Sequence, residues 1–158
     1  MSGRFLVLIA DDDANDRMLI EMAIKRDKVP TETREVHDGE QVIEYLRGEG
    51  NYSDRIVYPF PDLLLLDLKM PRMDGLAVLE WVRNHPEYAF LPTIMLSGSG
   101  LEIDVQEAHK RGVKAYFTKP ADFRELEELV RVVAEHWSKA QRPGMSEDCS
   151  RSQSPLSE

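Results

Sequence analysis

Alternating strand-like and helix-like segments predict a doubly wound α/β fold, with five parallel strands sandwiched between two layers of five helices. Three observations carry this expectation. Four consecutive leucines at 63–66, set between turn formers, have the pattern of a strand buried on both faces. Residues 5–10 form a second apolar run. Each run ends in carboxylates, at the strand end where open α/β sheets hold their sites.

The elements follow in chain order. The run Phe5-Leu6-Val7-Leu8-Ile9-Ala10 is the first strand, closed by Asp11-Asp12-Asp13. Residues 15–27 read as a helix with Met18, Leu19, Met22 and Ala23 on one stripe. A weaker strand at 31–36 precedes Asp38, which with Gln41 makes a capping-box-like start to a helix reaching about Arg47. The connection over 47–61 is long, and such loops are usually functional or mobile. The leucine strand then ends in Asp67. Asp74 opens the third helix, with Leu76, Leu79 and Val82 turned inward and Pro86 marking its end. Residues 93–97 form the fourth strand, which runs from Ser97 into Gly98-Ser99-Gly100. The fourth helix covers 101–111 and is closed by Gly112. The fifth strand, 113–118, leads into Lys119-Pro120. Asp122 with Glu125 caps the fifth helix, which turns Phe123, Leu126, Leu129, Val130 and Val133 toward the sheet.

Composition narrows the function. The 158 residues suffice for one domain with a proper core, expected over 1–138. Residues 139–158 hold five serines and two prolines and too few apolar groups to offset their ordering entropy, so a disordered tail is expected there. A net charge of −9 with no basic stripe argues against nucleic-acid binding. The single cysteine, Cys149, lies in the polar tail, which fits a reducing cytoplasm. The first apolar run is too short for a signal peptide, and no run approaches the ~20 residues that span a bilayer. The four histidines (His37, His85, His109, His136) lack metal-ligand spacing.

Four strand ends carry reactive groups. If the first and third strands are neighbours, Asp11, Asp12, Asp13 and Asp67 converge, and like charges that close need a cation. An all-oxygen donor set favours a hard ion, Mg²⁺ above all. Singly, each feature has a plainer explanation: acids suit a helix N-terminus, Ser97 suits a turn, and Lys119 suits a solvated surface. Their coincidence at successive strand ends suits phosphoryl chemistry. A carboxylate accepts the group, Mg²⁺ and an ammonium offset its charge, and a hydroxyl donates to its oxygen.

Over residues 4–138 the chain resembles a response-regulator receiver domain of two-component signalling. The matching residues are Asp11 and Asp12, Asp67, the Met70-Pro71-x-Met73-Asp74-Gly75 segment, Ser97, and Tyr116-x-x-Lys119-Pro120. The resemblance implies a flavodoxin-like sheet of strand order 2-1-3-4-5. It implies Asp67 as acceptor of a phosphoryl group from a histidine kinase. Mg²⁺ would be held by Asp11, Asp12, Asp67 and the Lys69 carbonyl, and Lys119 would pair with the acids and then with the phosphoryl group. Ser97 and Tyr116 would be the switch pair, while Lys69 and Ser99 occupy rate-tuning positions. The Lys119–Pro120 bond is expected to be cis.

The 47–61 insertion resembles that of stand-alone regulators served by phytochrome-type photoreceptor kinases. Ser97 replaces the family's commoner threonine and keeps its hydroxyl. Residues 139–158 are too short for a DNA-binding or catalytic output domain, so the expected function is that of a single-domain regulator, not an enzyme, acting through a phosphorylation-switched binding surface. Phosphorelay intermediate or phosphate sink, passing the group to a histidine phosphotransfer protein, is the alternative. The implied response surface covers residues 101–111, 113–118 and 122–139, where exposed apolar groups, with Trp137, could also mediate a homodimer.

Rival classes fit less well. Asp11 to Asp13 would repel a flavodoxin's phosphate, whose loop needs hydroxyls and amides. A haloacid-dehalogenase-type phosphatase wants a second acid two residues after Asp67, where Lys69 stands. A degenerate receiver would have lost Asp67, Asp12 or Lys119.

Overall fold

In the computed structural model, which describes residues 5–27 and 30–141, five strands alternate with five helices. These are β1 (Phe5–Ala10), α1 (Ala14–Lys25), β2 (Thr31–Val36), α2 (Gly39–Arg47), β3 (Leu63–Leu66), α3 (Gly75–Arg83), β4 (Thr93–Ser97), α4 (Glu102–Lys110), β5 (Ala115–Thr118) and α5 (Phe123–Gln141). The strands form one parallel sheet of order β2-β1-β3-β4-β5, as the family resemblance implies. Residues from 142 on, and with them Cys149 and all but the first three residues of the expected 139–158 tail, lie outside the described residues, while α5 runs on through residues 139–141.

Alternation along the strands divides the core. Leu8, Ala10, Leu64, Leu66 and Met95 face α2, α3 and α4, where they pack with Val42, Tyr45, Val78, Leu79 and Ala108. Val7, Ile9, Leu63, Leu65, Ile94 and Leu96 face α1 and α5, meeting Ile20, Ala23, Ile24, Leu126, Val130 and Val133. The four leucines of β3 are all buried because the central strand of a parallel sheet is covered on both sides.

Helix starts follow their caps. The side chains of Asp13, Asp38, Asp74 and Asp122 accept backbone N–H groups at the starts of α1, α2, α3 and α5. Gln41 returns the bond by accepting the His37 N–H at 2.6 Å, although one residue before the Asp38 cap. The stripe expected on α1 is rotated. Met18 and Met22 are 49% and 44% exposed, while Ile20, Ala23 and Ile24 are buried. The start of α1 is set by the Asp13 cap and by Arg17, which reaches back to the Asp11 carbonyl and pairs with Glu35, so the helix turns its isoleucines to the sheet.

The 47–61 insertion is packed against the body of the fold. A 3-10 turn at Gly50–Tyr52 brings Tyr52 against Tyr45, and Tyr58 meets both rings edge-on. Arg55 donates to the carbonyls of Leu46 (2.8 Å) and Tyr58 (2.9 Å), and its guanidinium lies over the Tyr45 ring. It fills the space beside Gly48, whose φ of 67° ends α2 in the left-handed conformation. Tyr45 donates to the Pro59 carbonyl, and burial pushes its hydroxyl pKa up to about 12, against the pull of Arg34 and Arg55. Phe60 stacks on Tyr88 and Phe90, closing the insertion onto the segment before β4.

Candidate functional site

The sheet ladder continues one residue past several strands, and this continuation builds the site. Asp11 donates its N–H to the Val36 carbonyl (3.2 Å), Asp67 to Ala10 (2.9 Å) and Lys119 to Ser97 (2.7 Å). Because Ala10 pairs with Leu66 and Ser97 with Thr118, Asp11, Asp67, Ser97 and Lys119 are delivered to one edge of the sheet. Asp67, Ser97 and Lys119 open, with Asp12, Asp13, Asp16, Lys69 and the 98–101 loop, onto a crevice of about 710 Å³. Asp11 and Asp67 are buried (2% and 7% exposed), Ser97 is buried (1%), and Asp12 is exposed.

Lys119 is the local counter-ion. Its Nζ lies 2.8 Å from Asp11 Oδ2, 2.7 Å from Asp16 Oδ2 and 3.3 Å from Asp67 Oδ2. Among the described residues every peptide bond is trans, the Lys119–Pro120 bond included, which corrects the expected cis isomer. The trans form is favoured by about 0.5–1 kcal/mol in X–Pro bonds, and the Lys119 N–H bond to Ser97 already aims the lysine into the crevice.

Burial, and next the charge of Asp11, push the Asp67 pKa up to about 6, against Lys119 and the Leu68 N–H, which donates to Oδ1 at 2.8 Å. Burial would lower the pKa of Lys119, but its hydrogen bonds to Asp11 and Asp16 and the charges of Asp67 and Asp11 hold it above the ordinary lysine value. At neutral pH the site is therefore a buried carboxylate, mostly ionised, beside a fixed ammonium.

A cation fits this donor set. Asp11, Asp12 and Asp67 each offer one oxygen, all within 4.8 Å of one another, and they are the metal-capable cluster found among the described residues. Three carboxylates and no nitrogen or sulfur suit a hard divalent ion. Lys69 is exposed and lines the crevice beside Asp12.

The switch candidates sit on the rim. Ser97 Oγ accepts the Ser99 N–H at 3.1 Å. Tyr116, half-buried, donates its hydroxyl to the Ser99 carbonyl at 2.7 Å, which ties β5 to the loop after β4. Ser99 Oγ donates to Asp104 of α4 at 2.5 Å. Two partners were missed in the sequence, Asp16 for Lys119 and Asp104 for Ser99. Each is an acid in the first turn of a helix, where the helix dipole already gives it a sufficient explanation.

This arrangement at the C-terminal edge of a 2-1-3-4-5 sheet defines a class, and residues 7–131 match the response regulator receiver domain family. The chain belongs to that family, whose members work in two-component phosphorelay signal transduction. It is similar to Rcp1 of Synechocystis, at 28% identity over 132 residues that cover 84% of this chain and 88% of that one. The crystal structure of the phosphorylated cyanobacterial phytochrome response regulator RcpA superimposes with a TM-score of 0.80 at 32% identity, covering 88% of this chain and 97% of that one. A regulator in red light signalling of R. palustris, RPA3017, superimposes equally well (TM-score 0.80, 32% identity, 90% and 96% covered). The Mn²⁺-bound form of Rcp1 has a TM-score of 0.77 at 27% identity, with 87% and 97% covered. Receiver domains bind Mg²⁺ through acidic residues, and the Asp cluster of this chain supplies the same donor type. No helix among the described residues is long and apolar enough to cross a membrane.

Proposed function

We propose that this protein is a single-domain response regulator that takes a phosphoryl group onto Asp67 from a phosphohistidine of a sensor kinase. One observation carries this assignment: Asp67 is a buried carboxylate at a strand end that shares the Lys119 ammonium with Asp11. An ionised Asp67 oxygen forms the new O–P bond as the N–P bond of the donor breaks, and the imidazole nitrogen leaves with the electron pair. Lys119 offsets charge on the phosphoryl oxygens, and Ser97 donates its hydroxyl to one of them. Asp11, Asp12, Asp67 and the Lys69 carbonyl would hold Mg²⁺, which supplies further charge neutralisation when bound.

The protein acts in the cytoplasm as a phosphoacceptor, not as a turnover enzyme. Lys69 and Ser99, which line the same crevice as Asp67, occupy the rate-tuning positions. Likeness to phytochrome regulators supports a phytochrome-type kinase as partner. Electrospray mass after incubation with acetyl phosphate and Mg²⁺ tests the acceptor. The wild type should gain one phosphoryl group (~80 Da) and Asp67→Asn none. Equal labelling of both would remove Asp67 from the role.

Output runs through the rim. A phosphoryl group recruits Ser97 Oγ, which now accepts the Ser99 N–H, and that movement disturbs the Ser99 carbonyl to which Tyr116 is tied. The α4 side of the crevice displays Leu101 and Ile103 (63% and 57% exposed), and α5 displays Val132 (53%). This is the face for a downstream target or a second copy of the chain. Sedimentation should show self-association that grows with phosphorylation; an unchanged monomer at high concentration in both states would leave the face to other targets alone.

A further inference from the structure

The Lys119 ammonium has three donors and three carboxylate neighbours, and the acceptor is the most distant of them. Asp16 takes the shortest contact (2.7 Å), Asp11 the next (2.8 Å), and Asp67 the longest (3.3 Å). Asp16 belongs to neither the acceptor nor the cation cluster. It stands in the first turn of α1, its N–H bonded to the Asp13 side chain, so its carboxylate is supplied by a capped and therefore fixed helix start. Charge-assisted hydrogen bonds of this length are among the stronger ones. Asp16 thus holds the ammonium by a shorter contact than the acceptor does, whose own hydrogen bond from Lys119 is the longest of the set at 3.3 Å.

We propose that Asp16 is a positioning residue, which parks Lys119 aside from the acceptor carboxylate at rest and competes with a phosphoryl group on Asp67 for the same ammonium. The inference rests on the phosphoacceptor assignment above and deepens it. At rest, the longer contact leaves Asp67 less covered by its counter-ion and open to an incoming phosphorus. Once the group is attached, its oxygens must draw Lys119 from Asp16. The strength of the Asp16 contact thus limits how tightly the phosphorylated state is held. Asp13 gives a comparison of equal charge: it lies in the same turn, caps α1 and accepts from Asn15 and Asp16, and asparagine can keep that cap.

Two measurements on the full chain test this. The first follows the Lys119 Nζ resonance by ¹⁵N–¹H NMR without divalent cations, assigned by its loss in Lys119→Arg. Asp16→Asn should move that resonance and speed its exchange with water, and Asp13→Asn should leave it in place. The second is the affinity for beryllofluoride with Mg²⁺, with Asp67→Asn as the control for the site. Relief from one charge-assisted competitor should tighten binding roughly three- to tenfold in Asp16→Asn beyond any change in Asp13→Asn. An unmoved resonance, or equal affinities in the two variants, would overturn the role of Asp16 while the acceptor assignment stood. If the wild type bound no beryllofluoride the acceptor assignment would fail, and the Nζ resonance alone would still decide where the ammonium is held.

Discussion

Gly75→Ala is expected to destabilise the domain by about 3 kcal/mol, at the upper end of the overpacking range, and to weaken divalent-cation binding with it. Gly75 is the first residue of α3, where alanine would ordinarily gain ~1 kcal/mol of helix propensity over glycine. Here the space decides against it. A Cβ on Gly75 would lie 2.3 Å from the Asp67 carbonyl oxygen, 2.9 Å from Met95 Cε and 3.0 Å from Leu68 Cα. The Met95 methyl can rotate away, but the other two atoms are backbone, held by the Asp67 N–H bond to Ala10 and by the Gly75 N–H bond to the Leu68 carbonyl. Relief therefore requires moving either α3 or the acceptor's own peptide. Urea unfolding should show a lower midpoint with an unchanged m value, and titration calorimetry should show weaker Mg²⁺ binding. A variant as stable as the wild type would mean that the α3 start yields without disturbing Asp67.

Lys119→Met is the second large effect, and its size depends on pH. Removing the ammonium leaves Asp11 and Asp67, both buried, and Asp16 without their shared counter-ion. Breaking a buried pair costs about 3–5 kcal/mol, but this site opens to solvent on the Asp16 side, so about 2–3 kcal/mol is expected at pH 7.5 without divalent cations. The Lys119 pKa is raised in the folded protein, so its stabilisation is complete below the unfolded lysine value near 10.5 and is lost as pH rises beyond it. Asp67 behaves in the opposite way. Its folded pKa of about 6 exceeds the ordinary 3.8, so ionising it costs stability as pH rises from about 4 through 6. Below about pH 5 the acceptor is protonated and has less need of the ammonium, so the deficit of the variant should shrink there. At pH 7.5, Mg²⁺ should restore more stability to Lys119→Met than it adds to the wild type, by occupying the uncompensated carboxylates. Thermal melts at both pH values, with chelator and with Mg²⁺, check each part. A deficit that does not vary with pH or Mg²⁺ would mean that Lys119 contributes packing and no charge balance.

Much of this was legible in the residues because the fold leaves periodic marks. The four leucines at 63–66 announced a strand covered on both sides, and β3 is central. Asp13, Asp38, Asp74 and Asp122 cap helices because a carboxylate satisfies N–H groups locally, whatever the rest of the chain does. Asp11, Asp12, Asp67, Ser97 and Lys119 each follow an apolar run, and parallel pairing does bring strand ends to one edge. The motif Met73-Asp74-Gly75 was recognisable by resemblance, but the reason for its glycine was not. That reason is a 2.3 Å approach to an atom of the acceptor itself.

What the sequence by itself determined was the set of elements, their order and the chemical types at the strand ends, since these rest on local periodicity and on capping. Contacts between distant segments were decided only by the tertiary structure. The rotation of α1 was one: Met18 and Met22 form as regular a stripe as Ile20 and Ile24, and the choice fell to the Asp13 cap and the reach of Arg17 to Asp11 and Glu35. The pairing of Lys119 with Asp16, 103 residues apart, was another, and so was the seating of the insertion through Arg55 and three tyrosines. The physical reason is common to all three. A helix stripe, an acid and an aromatic each have several acceptable partners in isolation, and packing selects one only when the sheet has fixed the distances between them.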